Sequence, residues 1–223
     1  MAIQIFIGLT TEGTTDHRFL ESIVERTFID VAFECTGDVE PYVKFLDVDK
    51  IGLGFNEYVE KASKQGVEEM GMTVLCVHTD ADSDSAVRAY NHKINPARDC
   101  LKTKEDGIYC KLLTPVIPIH MIEAWMLADK ELLKKEIGTT KSDNELGINR
   151  LPEQIATPKD VIINAIRIAR EDVAKRRRHD LDISDLYLPL GQKIKSCKLE
   201  QLDSYKAFKE EVRRTYKELH LML

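Results

Sequence analysis

The chain has 223 residues, 43% of them hydrophobic and 31% charged, with a net charge of −6. These are the proportions of an ordinary soluble protein: one domain with an ample core, or a core with a small appendage. They argue against loose binding of nucleic acid over the whole surface, and no run reaches the roughly 18 consecutive apolar residues of a membrane span.

The chain opens Met-Ala-Ile-Gln-Ile-Phe-Ile-Gly, which lacks a signal peptide's basic region and reads as a first strand over residues 3–9. The turn Thr10-Thr11-Glu12-Gly13-Thr14-Thr15-Asp16 follows, and Thr14, Thr15 or Asp16 can cap the next helix. That helix carries Phe19, Ile23, Val24 and Phe28 as a buried stripe. Residues 42–48 predict strand two. Gly52 and Gly54 mark a loop, and Phe55, Tyr58, Val59 and Ala62 start a second helix ending near Gly66. Residues 73–78 predict a buried third strand, followed by a helix over about 83–91.

Pro96, Asp106 and Gly107 read as loop, residues 108–113 as strand four, and Pro115 and Pro118 as brackets of a short extended piece. A helix starts in 121–129, a polar connection covers 134–154, and Thr157-Pro158 opens a helix whose apolar stripe runs to Val173. A last helix spans about 204–219. Strands alternating with helices predict an α/β fold, a mainly parallel sheet flanked by helices with a helical C-terminal extension. The expected division is an α/β core over 1–133 and a mostly helical extension over 134–223 packed on it. Five cysteines without a C-x-x-C pair argue against a disulfide framework or zinc site and for a reducing cytoplasm.

Chemistry concentrates where strand three ends, at His78-Thr79-Asp80-Ala81-Asp82-Ser83-Asp84. If the chain stays extended, Asp80, Asp82 and Asp84 point one way, with neighbours in that row roughly 7 Å apart. Asp84 reads better as a helix cap. Ligand sites of parallel α/β sheets gather beyond the carboxyl ends of the strands, and Glu12 lies at the same edge after strand one. Carboxylates meeting there suit a hard divalent cation that keeps room for phosphate oxygens. Glu12 would ligate the metal or serve as general acid/base.

Charge is uneven. Residues 159–223 hold 15 Lys/Arg against 11 Asp/Glu, leaving 17 against 27 for the rest. The basic run Lys175-Arg176-Arg177-Arg178 can contact phosphates, or simply complement a helix C-terminus.

The stretch Glu12-Gly13-Thr14-Thr15-Asp16-His17-Arg18-Phe19-Leu20 resembles the E-G-x-x-D/E-x-x-F-L opening of Toprim domains, and Asp80-Ala81-Asp82 resembles their D-x-D element. Ile122-Glu123-Ala124-Trp125-Met126-Leu127-Ala128-Asp129 and Pro152-Glu153-Gln154-Ile155-Ala156-Thr157-Pro158-Lys159 resemble two further segments of small Toprim-like proteins related to the OLD-family nucleases, several of which serve bacterial anti-phage defence. The resemblance implies a Toprim-like (Rossmann-like) fold and metal-dependent phosphodiester cleavage. It makes Glu12, Asp80 and Asp82 the catalytic and metal-binding residues for Mg²⁺ or Mn²⁺ and adds Glu123 as a metal ligand; the candidate nucleic-acid contacts Lys175, Arg176 and Arg177 rest on their charge alone.

The chain has no G-x-x-x-x-G-K-[ST] of its own. The implied partners are nucleic acid, DNA ahead of RNA, and a separate ATPase subunit; self-association is left open, and no membrane is expected. The alternative is a non-catalytic module of the same fold that binds an ATPase or nucleic acid. An Asp-nucleophile phosphatase fits less well, because its D-x-D would follow strand one.

Overall fold

The computed structural model describes residues 2–172, 174 and 180–223. In chain order, β1 (Ile3–Thr10) leads to α1 (Asp16–Ala32), β2 (Val39–Phe45), α2 (Phe55–Met70) and β3 (Val74–His78). A long helical segment follows: α3 (Val87–Ala89), a π-helical turn (Tyr90–Ile94) and α4 (Asn95–Lys102). Then come β4 (Leu113–Val116), α5 (Glu123–Met126), α6 (Lys130–Ile137), α7 (Asp143–Leu146), α8 (Pro158–Ala169), α9 (Tyr187–Lys193), α10 (Ser196–Leu199) and α11 (Asp203–Glu218). The four strands form one sheet in the order β2-β1-β3-β4, and every pair is parallel. This is the expected α/β architecture, a Rossmann-like sheet with helices on its faces.

Period two assigns the faces. Ile5, Ile7 and Leu9 of β1, with Val74 and Cys76 of β3, pack into the cluster that contains Phe19, Ile23 and Phe28 of α1. Leu75 and Val77 point to the opposite cluster, with Val59 and Ala62 of α2 and Ala97 and Leu101 of α4. Gly8 faces that second side. A Cβ there would stand 2.3 Å from Met72 Sδ and 2.5 Å from Leu46 Cδ1, so only glycine lets these side chains lie on the strand.

Three of the elements that differ from the expectation do so around a proline. Strand two begins at Val39 rather than 42, and strand four is Leu113–Val116 rather than 108–113. Pro41 and Pro115 sit inside these strands, and both strands are edges of the sheet. Leu46 N–H donates to Leu9 O, so even-numbered residues of β2 bond inward and Pro41 faces out. Val116 O accepts from Thr79 N, which likewise turns Pro115 outward. Neither proline removes a ladder bond.

The third case is Pro96, which reads as loop but lies near the start of α4. The wide turn Tyr90–Ile94 stands directly before it, where a proline ring would otherwise press on the carbonyl four residues earlier. The helix expected over 83–91 therefore starts later and runs further. Its N-cap position is Ala86 with no side-chain cap, so Asp84 is not a helix cap.

The apolar core crosses residue 133 without a break. Phe19, Leu20 and Trp125 belong to one cluster with Leu133, Leu190, Tyr205, Phe208 and Tyr216. Buried polar bonds join the same parts: Trp125 Nε1 donates to Ser204 Oγ at 2.7 Å, Thr27 and Tyr205 hydroxyls meet at 2.9 Å, and Thr114 and Thr215 hydroxyls at 2.6 Å. α8 ends at Ala169, short of Val173. Lys175, Arg176 and Arg177, the expected nucleic-acid contacts, lie outside the described residues. Among the described residues no helix is long and apolar enough to cross a membrane.

Candidate active site at the carboxyl edge of the sheet

Because β1 and β3 are neighbours in a parallel sheet, their carboxyl ends deliver the 11–16 and 79–82 loops to the same rim. Glu12 reaches across: Thr79 Oγ1 donates to Glu12 Oε2 at 2.6 Å. Lys93, projecting from the π-helical turn, donates to the same Oε2 at 3.3 Å and to Thr79 Oγ1 at 2.7 Å. Its ammonium also lies 5.9 Å from the Phe55 ring centroid. Lys50 donates to the backbone carbonyls of Thr11, at 3.4 Å, and of Glu12, and so holds the loop from its other side. Burial pushes the Glu12 carboxyl up, but the Thr79 hydrogen bond and the charge and hydrogen bond of Lys93 outweigh it, so its pKa is below the usual value.

His78 has the same parity as Val74 and Cys76 and therefore points toward α1. It is fully buried, with Nδ1 3.6 Å from Asp16 Oδ2 and Nε2 3.3 Å from Asp80 Oδ1. Both ring nitrogens thus sit at ion-pair distance from a carboxylate, with the Asp80 contact the shorter. Burial opposes a charged imidazole, yet contact with Asp80 and the negative charges of Asp80, Asp16 and Glu12 raise its pKa. Asp16 also accepts from Gly13 N at 2.7 Å, which fixes the Glu12 loop against the start of α1. Asp80 Oδ1 accepts from Ile122 N at 3.0 Å, bringing the 120–123 segment to the rim.

The carboxylate row does not continue past Asp80. Asp82 adopts φ of 53°, its N–H donates to His120 O at 3.0 Å, and His120, at φ of 58°, donates back to Ser83 O at 2.9 Å. Two residues in the left-handed region lock these loops together and end the period-two alternation that would align Asp82 with Asp80. Asp82 is exposed. Glu123 is 3% exposed, and its Oε1 accepts from Tyr187 O–H at 2.5 Å, with Lys159 Nζ at 3.7 Å. Lys111 pairs with Asp106 at 2.6 Å.

Comparison with protein-family models, curated proteins and solved structures finds no match to this chain. The chemistry of the rim therefore has to be judged from its own donors. Glu12 and Asp80 are hard oxygen donors on adjoining loops, which suits Mg²⁺ or Mn²⁺, since Mg²⁺ takes one or two carboxylates and keeps several waters. Among the described residues no group of three or more His, Cys, Asp or Glu is gathered as a metal site. Asp82 is turned aside, Glu123 accepts from Tyr187, and Lys93 pairs with Glu12.

A cavity of about 570 Å³ lies beyond β4, lined by Ser85, Ile117, Ile119, Lys130, Gln154 and Phe208 among others. It includes neither Glu12 nor Asp80, so it adjoins the acidic rim without containing it.

Sequence reasoning did not single out Lys93, Lys50, Tyr187 or Lys159 as parts of this rim. Tyr187 and Lys159 come from the helical half, and nothing in their spacing points back to Glu123. Lys93 lies in a stretch whose proline masks the helix that presents it.

Proposed function

We propose that this chain is a Toprim-like nuclease subunit that cleaves phosphodiester bonds with Mg²⁺ or Mn²⁺. We further propose that it acts in the cytoplasm with a separate ATPase in anti-phage defence. The observation that carries this reading is the grip of Glu12 on Thr79, the chain neighbour of Asp80. Two carboxylates more than sixty residues apart thereby share one strand-end rim, where parallel α/β sheets bind ligands.

Each residue has work it is fitted for. The lowered pKa keeps Glu12 ionised at neutral pH, so it accepts a proton or ligates rather than acting as a general acid. Asp80 is aimed by the Ile122 N–H and by His78, a positioning residue that never meets solvent. Glu12 and Asp80 would hold the cation, which when bound stabilises charge on the phosphoryl group.

The test is cleavage of DNA and of RNA by the full chain, alone and with an ATPase encoded beside it. Cutting should require Mg²⁺ or Mn²⁺ and fall at least about 100-fold in Glu12→Gln and Asp80→Asn. Failure to cut either nucleic acid under all these conditions would reject the proposal. The Glu12–Lys93 pair favours one other reading, a binding module whose acids are neutralised from within. Under that reading, the same amide variants keep their partner binding and their cellular phenotype.

A further inference from the structure

Lys93 is placed with more care than a surface lysine needs. It projects from a π-helical turn, a feature frequent at functional sites, and its side chain is only 29% exposed. The ammonium has three neighbours: Glu12 Oε2, Thr79 Oγ1 and the face of Phe55. Among the described residues its polar contacts belong to the acidic rim. A lysine is a compact point charge on a flexible stem, equally able to pair with a carboxylate or with a phosphate oxygen.

The carboxylate oxygen that Lys93 occupies is the same one that accepts from Thr79 Oγ1, on the residue before Asp80. A divalent cation and the ammonium would be like charges competing for Glu12 Oε2. A phosphodiester brought to the rim offers the ammonium a second singly charged oxyanion with which it can pair.

We propose that Lys93 is the substrate-phosphate contact of this site, and that it and the divalent cation are alternatives on Glu12. The phosphodiester draws the ammonium off the carboxylate, and the freed oxygen then takes the cation. Metal affinity and nucleic-acid affinity are therefore coupled through one side chain. The inference rests on the nuclease reading for the identity of its ligands. It adds a residue that no motif marks.

The experiment measures Mn²⁺ binding to the full chain by the electron paramagnetic resonance of the free ion, with and without a DNA oligonucleotide whose phosphorothioate linkages resist cleavage. Wild type should bind Mn²⁺ weakly and tighten about tenfold when the oligonucleotide is added. Lys93→Met should bind about tenfold more tightly than wild type without DNA and gain little from it. Lys93→Arg, which keeps the charge, should follow wild type. Lys93→Gln serves in place of Lys93→Met if the latter fails to fold by Trp125 fluorescence.

Equal Mn²⁺ affinity in wild type and Lys93→Met overturns the proposal. So does an equal gain from DNA in both, or no Mn²⁺ binding in either. The two ideas fail separately. Tighter Mn²⁺ binding in Lys93→Met without any cleavage by wild type keeps the Lys93 exchange and rejects the nuclease. Cleavage by wild type with no difference in Mn²⁺ affinity does the reverse.

Discussion

Gly191→Ala tests the packing that brings the helical half onto the sheet. Gly191 lies in α9, which crosses α1 so closely that an added Cβ would stand 2.3 Å from the Phe19 carbonyl oxygen and 2.7 Å from its Cα. Both obstacles are backbone, so the helices must separate by about 1 Å to restore ordinary contact. Two bonds resist that movement: the Arg26 guanidinium donates to Gly191 O at 2.8 Å and to Gln192 O at 3.0 Å.

Two effects of opposite sign compete. Alanine in place of glycine favours a helix by about 0.8–1.0 kcal/mol. Overpacking a close crossing costs about 1–3 kcal/mol, and strained Arg26 bonds add to it. Packing should win by about 1–2 kcal/mol, and for a chain of this length the Tm should fall by about 2–8 °C. Urea unfolding followed by Trp125 emission reads this directly, since Trp125 is the sole tryptophan and fully buried. An unchanged or raised midpoint would refute the reasoning and show that α9 has room to slide. Because α9 begins with Tyr187, the same variant should also loosen the Tyr187–Glu123 bond.

Tyr187→Phe removes the hydroxyl from the buried Glu123 carboxylate and should cost about 1–3 kcal/mol in urea unfolding; a neutral result would mean that Lys159 alone satisfies Glu123. The hydrogen bond and charge of Arg213 hold the Glu34 carboxyl below its usual range. Its folded pKa is thus depressed, so the stabilisation is present above the unfolded value of about 4.5 and is lost as pH falls through the folded pKa. Glu34→Gln should therefore flatten part of the acid limb of the stability profile while leaving the slope above neutrality unchanged, as measured by urea midpoints across pH. Among the thiols, exposed Cys197 should react with a maleimide first, whereas buried Cys76 and Cys110 should stay protected until global unfolding. Mass spectrometry of a labelling time course checks the order, and early labelling of Cys76 would contradict it.

The sheet was legible because its strands are short apolar runs ended by polar turns, and the buried run 74–78 is the plainest of them. The meeting of Glu12 with the 79–80 turn was legible too, because both follow parallel strands. Asp82 was misplaced because extended geometry was carried two residues too far. The left-handed turn that diverts it depends on a partner loop forty residues away, at His120. Strand prolines such as Pro115 are hard to place from sequence alone. Proline forbids a donor, and whether that matters depends on which way the missing N–H would point, a fact of tertiary context. Glu123 showed its identity but not its partners, since Tyr187 and Lys159 reach it only once the second half has folded.

The joining of both halves through Trp125–Ser204, Thr27–Tyr205 and Thr114–Thr215 has a consequence for how the protein is made. The four described strands leave the ribosome before the helix that contributes Ser204, Tyr205 and Thr215 exists, and Thr36 N–H donates to Leu221 O, which follows that helix. A chain interrupted shortly before its last helix would carry every rim carboxylate named above yet lack the scaffold that aligns them. Chains cut before residue 203 should thus lose the buried packing around Trp125, Thr27 and Thr114 that steadies the sheet.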